Sequence, residues 1–150
     1  MQTRTLERTT IIPRPAAEVF DFFCRAENLN KITPPDLSFK IIGPTSIEMK
    51  KGALIEYKIR IFGIPFRWQT LISEWNPPHS FTDTQLKGPY VKWVHVHNFR
   101  EESGKTIMHD KVEYRSKGWI LEPVLEAMIV KRKLKKIFDY RQKSCETLFR

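Results

Sequence analysis

The sequence predicts an α+β fold in which a curved antiparallel sheet of about seven strands wraps around one long C-terminal helix. Residues 52–114 alternate apolar and polar side chains between turn residues, which is typical of a strand meander. Residues 120–150 instead place apolar side chains three and four positions apart, the spacing of one helix face. The 150 residues are enough for a single domain, 1–150, with its own core.

The first part of the chain is predicted to form a strand, two short helices and a second strand. Residues 3–12 partly alternate and end at Pro-Arg-Pro, which indicates the first strand. Pro15 suits the first turn of a helix over residues 16–28, which carries an aromatic face. A second short helical turn ends at Pro34, because the residue before a proline avoids the helical conformation. Residues 37–42 are expected to form the second strand.

The meander follows, with Gly and Pro residues in its turns. Alternation places one set of side chains inward on each strand and charged residues outward, together with His109. The sheet curls around the final helix, and strands curled in this way seldom fill the enclosed space. We therefore expect a ligand cavity between sheet and helix. The predicted strands of the meander are residues 55–61, 66–75, 79–86, 91–100 and 106–114.

The final helix is basic on the face opposite its apolar stripe, where we place Arg141 with most of the lysines, and the formal charge of the chain is +9. Such a surface attracts nucleic acid, anionic lipid or acidic partners, although solvated basic faces are commoner. No nucleic-acid motif accompanies the charge, which argues against nucleic acid as a partner. We expect at most a transient contact with an anionic membrane surface. It would be made by Lys131, Arg132, Lys133, Lys135 and Lys136.

Localisation and redox state follow from what the sequence lacks. No run reaches the roughly 20 apolar residues of a membrane span. The first residues have no apolar signal segment, so we expect a cytoplasmic protein. Cys24 and Cys145 both fall on apolar helix faces and read as small core residues rather than a disulfide or a nucleophile.

The polar residues on the inward strand faces are the candidates for chemistry. If the turn at Gly88-Pro89 is centred near residue 89, Asp83 faces His95, and the next hairpin brings Asp110 beside His95 or His97. A histidine held by a carboxylate can act as a general base. It can equally belong to a hydrogen-bonded seam that orders the cavity wall or fixes the polar end of a ligand. The inward polar set is Tyr57, Asp83, Gln85, His95, His97, Asp110 and Tyr114.

The same residues allow a metal site, because two histidines and an aspartate can supply three ligands to zinc or iron. Any strand with alternating histidines gives a His-x-His pattern, so the sequence evidence is weak. We therefore expect no metal and no cofactor.

Several local sequences resemble one family. They are Asn28-Leu29 with Ile32-Thr33-Pro34-Pro35, Phe81-x-Asp83-x-Gln85, Gly88-Pro89-Tyr90, Trp93-x-His95-x-His97-x-Phe99, Asp110-x-Val112-x-Tyr114 and Ile137-Phe138-x-Tyr140-Arg141. Together with the element order, they resemble a bacterial subgroup of stand-alone domains in the SRPBCC superfamily. This superfamily, also called START/Bet v 1-like or polyketide cyclase/dehydrase-like, has the helix-grip fold. The resemblance covers nearly the whole chain.

The resemblance implies that a lipid-like or aromatic molecule binds in the cavity, and that some members catalyse cyclisation or dehydration there. Our leading expectation is a carrier or sensor of a hydrophobic small molecule such as a lipid, isoprenoid or polyketide. The alternative is a cyclase or dehydratase that uses His95 or His97 with Asp83 or Asp110. The expected ligand-binding residues are Tyr57, Ile59, Trp68, Gln85, Trp93, His95, His97, Phe99, Met108, Asp110, Val112, Tyr114 and Met128.

Overall fold

The computed structural model, which describes residues 2–44, 47–118 and 122–150, confirms the predicted fold. All of its strands join one antiparallel sheet in the order β1-β7-β6-β5-β4-β3-β2. Consecutive strands from β2 to β7 are neighbours, and β1 returns to pair with β7. The strands are β1 Arg4–Ile12, β2 Lys40–Ile42, β3 Leu54–Ile61, β4 Ile64–Asn76, β5 Ser80–Lys87, β6 Tyr90–Glu102 and β7 Lys105–Ser116.

The helices after β1 are shorter than the sequence predicted. Helix α1 runs from Ala16 to Phe23, and 3₁₀ helices follow at Ala26–Ile32 and Pro35–Leu37. The side-chain amide of Asn28 donates to the Phe22 carbonyl at 2.9 Å, a partner that replaces a further helical backbone bond. The segment therefore continues as a tighter helix that crosses over the sheet.

The long helix α2 runs from Pro123 to Leu148. The Glu122 side chain accepts a hydrogen bond from the backbone N–H of Val124 and so caps its first turn. The earlier start predicted at Ile120 lies outside the described residues, as does Leu121. Among the described helices, none is long and apolar enough to cross a membrane.

The turn between β3 and β4 is tighter than predicted. Phe62 and Gly63 both have positive φ angles, 52° and 75°, and Ile61 pairs directly with Ile64. Two such residues make the hairpin turn whose twist matches that of the strands, so β4 already begins at Ile64 rather than after Pro65.

One face of α2 packs on the sheet. Its buried residues include Ala127, Leu134, Phe138 and Cys145, which recur at helical spacing. Met128 follows Ala127 by one residue and is therefore turned about 100° from this face, at 3.6 residues per turn. It is 56 % exposed, and Leu125 is 47 % exposed. The prediction that Met128 lines the cavity is therefore wrong.

The interior has two ends that differ in packing. At the α1 end, aromatic rings from α1, β5 and β6 fill the space. The centroid of the Phe20 ring lies within 6 Å of the ring centroids of Trp75, Phe81 and Phe99. We call this the packed end. At the other end, an internal space remains between α2 and the inner faces of β3 and β4, and we call it the cavity. The buried residues of the packed end are Ile12, Val19, Phe20, Phe23, Ile32, Phe81, Phe99, Met108, Cys145 and Phe149.

Candidate functional site

The cavity has a volume of about 160 Å³ and lies between the inner face of the sheet, the 3₁₀ segments and α2. Its wall is mostly apolar because strand alternation turns one side chain in two inward. Helix α2 closes it with Leu134, Ile137, Phe138 and Arg141. Polar side chains are concentrated on β5 and β6, where the wall includes Asp83, His95 and His97.

About half of the predicted ligand-binding residues do line this cavity. They are Tyr57, Ile59, Trp68, Trp93, His95 and His97, and the candidate catalytic residue Asp83 lines it as well. Tyr57, Trp68 and Trp93 form a continuous aromatic wall; the Tyr57 and Trp68 rings stack at 5.7 Å, and Trp68 meets Trp93 edge-on at 5.2 Å. His109 instead lies on the outer face, 3.7 Å from Glu7, as its strand parity predicted.

Other predicted residues do not line the cavity, for identifiable reasons. Gln85 is wrong as a ligand-binding residue because both groups of its amide bind the backbone of Tyr90, at 2.7 and 3.1 Å, and hold the β5–β6 turn. Phe99 and Met108 belong to the packed end. Val112 and Tyr114 lie in the buried cluster between the sheet and α2. Their inward direction was predicted correctly, but they pack against protein.

His95 and Asp110 form the inner part of a buried polar cluster. His95 Nε2 lies 2.8 Å from Asp110 Oδ1, and both residues are almost fully buried. An ionised carboxylate only accepts, so the Nε2–H of His95 donates. A neutral His95 then keeps its lone pair on Nδ1, which faces Asp83 Oδ2 at 3.8 Å.

His97 and Asp83 form the part of the cluster that lines the cavity. The sheet register pairs Asp83 with His95 and Asp110 with His97, as predicted. The closest contact of Asp83 is nevertheless diagonal, because His97 Nε2 donates to its Oδ2 at 2.5 Å. His97 Nδ1 lies 3.4 Å from Asp110 Oδ1. The two imidazole rings stack at 3.6 Å, so each histidine spans the space between the two carboxylates.

Arg141 is a site residue that the sequence analysis placed on the basic outer face of the helix. It is only 12 % exposed, and its Nη2 lies 3.5 Å from Asp110 Oδ1 and 3.3 Å from His97 Nδ1. Its guanidinium also covers the ring of Phe23. The signal was available, since Arg141 follows Leu134 by seven residues and Phe138 by three, which puts it on the buried face.

The two histidines respond to burial in opposite directions. Burial lowers the pKa of His95 to about 4, helped by the neighbouring charge of His97 and only partly opposed by Asp110 and Asp83. Burial also disfavours the cation of His97, but its hydrogen bonds to Asp110 and Asp83 raise its pKa. Burial therefore favours the neutral form of His95, whereas the hydrogen bonds of His97 to the two carboxylates favour its protonated form.

The carboxylates stay ionised. Burial acts to raise the pKa of Asp110, but Arg141 and the two histidines outweigh it and hold that pKa well below the usual range. Burial also acts to raise the pKa of Asp83, but its hydrogen bond from His97 and the nearby positive charge lower it overall. The hydrogen bond is the largest of the effects that lower it. Two negative carboxylates thus face the guanidinium of Arg141 and the imidazole of His97, whose protonated form they favour.

Some of the basic side chains of α2 form ion pairs within the protein. Lys133 Nζ binds Asp36 Oδ2 at 3.0 Å and lies 5.5 Å from the ring of Phe62. Lys135 pairs with Asp139 at 2.7 Å. Lys131, Arg132 and Lys136 are exposed. Contact with an anionic membrane stays a prediction.

Residues 12–135 match a sequence family described as polyketide cyclase / dehydrase and lipid transport. The chain belongs to this family. The match covers the meander that carries Asp83, His95, His97 and Asp110, and it ends within α2. This confirms the family predicted from the local motifs. No curated protein matches the chain.

Solved structures show the same fold. The aromatase/cyclase ZhuI from a Streptomyces species has a TM-score of 0.78 at 13 % identity, over 97 % of this chain and 93 % of that one. Major latex-like protein 151 from Panax ginseng has a TM-score of 0.69 at 13 % identity, over 98 % and 97 %. The family and fold together support hydrophobic-ligand binding or cyclase chemistry, without deciding between them.

Proposed function

We propose that this chain binds a hydrophobic small molecule, of lipid, isoprenoid or polyketide type, in the cavity between the sheet and α2. The observation that carries this proposal is the cavity wall itself, a continuous surface of aromatic and aliphatic side chains interrupted by one polar cluster. Apolar pockets with a few convergent polar groups are the usual form of small-molecule sites. An apolar ligand gains free energy by leaving water for such a wall, at about 25 cal/mol per Å² buried.

The polar cluster supports binding more directly than it supports catalysis. Asp83, His95, His97, Asp110 and Arg141 contact one another, so the two carboxylates and the two imidazoles find partners within the protein. Among the described residues, the indole N–H of Trp68 and the Nε–H of Arg141 are buried and lack a hydrogen-bond partner. Both residues line the cavity. A ligand with an acceptor oxygen would satisfy one or both.

A pair of matched tryptophan substitutions on α2 tests this proposal. Ile137 lines the cavity, whereas Met128 lies on the same helix and is 56 % exposed. Ile137→Trp is expected to weaken binding of a naphthalene sulfonate dye at least about tenfold, which is about 1.4 kcal/mol, because the indole occupies the space. Met128→Trp adds the same side chain outside the cavity and should leave dye binding unchanged. Fluorescence titration measures both affinities.

Thermal melting of both variants separates filling of the cavity from damage to the fold. Equal dye affinities in the parent and Ile137→Trp, with both proteins folded, would overturn the proposal. So would an equal loss in both variants, because the dye would then bind the surface. A native mass spectrum of freshly purified protein then reports the mass of any ligand that co-purifies.

A cyclase or dehydratase is the second candidate, favoured by one contact. Asp83 and His97 touch at 2.5 Å and both line the cavity, so a proton could pass between this pair and a bound polyketide. His97→Gln would then abolish turnover of a poly-β-ketone substrate while dye affinity changes little. Retention of turnover in that variant would remove the cluster from any such chemistry.

A further inference from the structure

A second property of the polar cluster goes beyond binding of a hydrophobic molecule. Asp83, His95 and His97 each present one potential ligand atom, and these atoms lie within 4.8 Å of one another. All three residues line the cavity. We propose that Asp83 Oδ2, His95 Nδ1 and His97 Nε2 bind a divalent transition-metal ion, with open coordination positions facing the cavity.

The two distances that involve Asp83 require only small adjustments. Ligand atoms about 2.1 Å from a tetrahedral metal lie about 3.3 to 3.4 Å apart. Asp83 Oδ2 now lies 3.8 Å from His95 Nδ1 and 2.5 Å from His97 Nε2. To reach tetrahedral geometry, the separation between Asp83 and His95 must shorten by about half an ångström, and that between Asp83 and His97 must increase by less than about one ångström. The metal replaces the proton that His97 Nε2 now donates to Asp83, and that proton leaves to solvent.

The residues behind the histidines are arranged as metal sites need. A ligating histidine usually gives its other ring N–H to a carboxylate, which fixes the tautomer and the ring direction. His95 Nε2 already donates to Asp110 Oδ1 at 2.8 Å, which leaves its Nδ1 lone pair available. His97 Nδ1 lies 3.4 Å from the same oxygen. One buried carboxylate therefore lies within 3.4 Å of both rings, and Arg141 Nη2 lies 3.3 Å from His97 Nδ1 as well. The sequence pattern His-x-His could not reveal this arrangement.

The donor set indicates the class of metal. Two imidazoles and one carboxylate suit Zn²⁺, Fe²⁺ and Co²⁺, whereas Mg²⁺ and Ca²⁺ prefer oxygen ligands. Arg141 limits the affinity, because its guanidinium lies 3.5 Å from Asp110 and repels a second cation. A bound metal ion would add positive charge close to Arg141, so an anionic oxygen of a ligand is expected to bind with it.

Titration of chelator-treated protein with Co²⁺ tests the site, because its visible spectrum reports imidazole coordination; Zn²⁺ competition follows. We expect one saturable equivalent in the parent. Asp83→Asn and His97→Gln should each weaken binding at least about tenfold, and Asp110→Asn should weaken it about 10- to 100-fold by releasing the rings. His109→Gln is the matched control, since His109 lies on the outer face of β7, and it should bind as the parent does.

Arg141→Met supplies a readout that a merely structural cluster would not give. Removal of its charge should tighten Co²⁺ binding at least about threefold. Circular dichroism of each metal-free variant establishes that it is folded. Absence of saturable binding at millimolar metal in the folded parent would overturn the site, as would equal binding in Asp83→Asn. Dye binding is measured on metal-free protein, so failure of the metal site leaves the hydrophobic ligand proposal standing, and the reverse also holds.

Discussion

The packed end and the cavity are built from the same sheet, yet only one of them is filled. Strands β5 and β6 turn Phe81 and Phe99 into the packed end, where α1 supplies Phe20 and Phe23. Strands β3 and β4 turn equally large side chains, such as Tyr57 and Trp68, towards α2, but a space remains between them, α2 and the short 3₁₀ segments. Strand alternation thus decides which side chains point inward, and the covering helices decide whether a space remains.

The polar cluster lies where these two regions meet. The Phe81 ring stacks on His97 at 4.1 Å, and Phe138 lies 5.6 Å from His95. Buried charges at this boundary are protected by the packed end on one side and reachable from the cavity on the other. Substitutions in the packed end should therefore cost more stability than substitutions in the cavity wall.

Truncation in the packed end should cost the most. Phe20→Ala is expected to lower the free energy of unfolding by about 3–5 kcal/mol, because it removes a ring surrounded by three others and leaves a void. Ile55→Ala in the cavity wall is the comparison, and it should cost less because that side chain already borders open space. Urea denaturation measures both. Equal losses would show that the cavity wall is as tightly packed as the α1 end.

The pH dependence of stability isolates His95. Its pKa falls from 6.5 in the unfolded chain to about 4 in the folded protein, so its stabilising contribution is complete above 6.5 and is lost as the pH falls towards 4. That difference corresponds to about 3 kcal/mol across the window. Because the pKa of His97 is raised, its contribution to folding stability is complete below pH 6.5. Because the pKa values of Asp83 and Asp110 are lowered, their contributions to stability are lost only in more acidic solution.

Unfolding of the parent and His95→Gln at about pH 7 and pH 5 tests this assignment. From about pH 7 to about pH 5, the free energy of unfolding of the parent should fall by about 2 kcal/mol more than that of the variant, since the variant lacks the titrating ring. Arg141, which packs on the cluster from α2, is common to both proteins. Identical pH profiles would mean that His95 is not the buried neutral histidine described above.

The smallest effect is expected at the surface of the cavity end. Lys133 joins α2 to Asp36 in the second 3₁₀ helix, and Asp36 is 66 % exposed. Because exposed ion pairs contribute about 0–1 kcal/mol, Lys133→Ala should change stability by less than about 1 kcal/mol. A double-mutant cycle with Asp36→Asn measures the coupling. A coupling well above that range would show that this ion pair helps to hold the cavity closed.

The fold could be predicted because its signals are local. Period-two alternation located the strands from β3 to β7, and proline and glycine located their turns. The register across β5, β6 and β7 followed from the turn positions, so Asp83 and Asp110 were placed against the histidines correctly. Element boundaries were less certain, because side chains such as Asn28 compete with backbone hydrogen bonds.

The site was only half predictable. Strand alternation shows which side chains point inward, but not whether a helix or the cavity lies opposite them. Phe99 and Met108 were therefore predicted to line the cavity, whereas they belong to the packed end. Gln85 was misread because its hydrogen bonds to Tyr90 form only once the turn has its shape. Arg141 was grouped with its basic neighbours by charge, although its helical spacing placed it with Phe138.

The pairing of β1 with β7 has a consequence for how the chain folds. Every other neighbouring pair in the sheet is a hairpin or near-hairpin, whereas Arg4 pairs with Tyr114 across most of the sequence. Contacts between residues so far apart form late, because the intervening chain must first be ordered. On a ribosome, β1 therefore waits without its partner strand until β7 has emerged. The exposed polar residues along β1, including Arg4, Thr5 and Glu7, help to keep that waiting strand from pairing elsewhere.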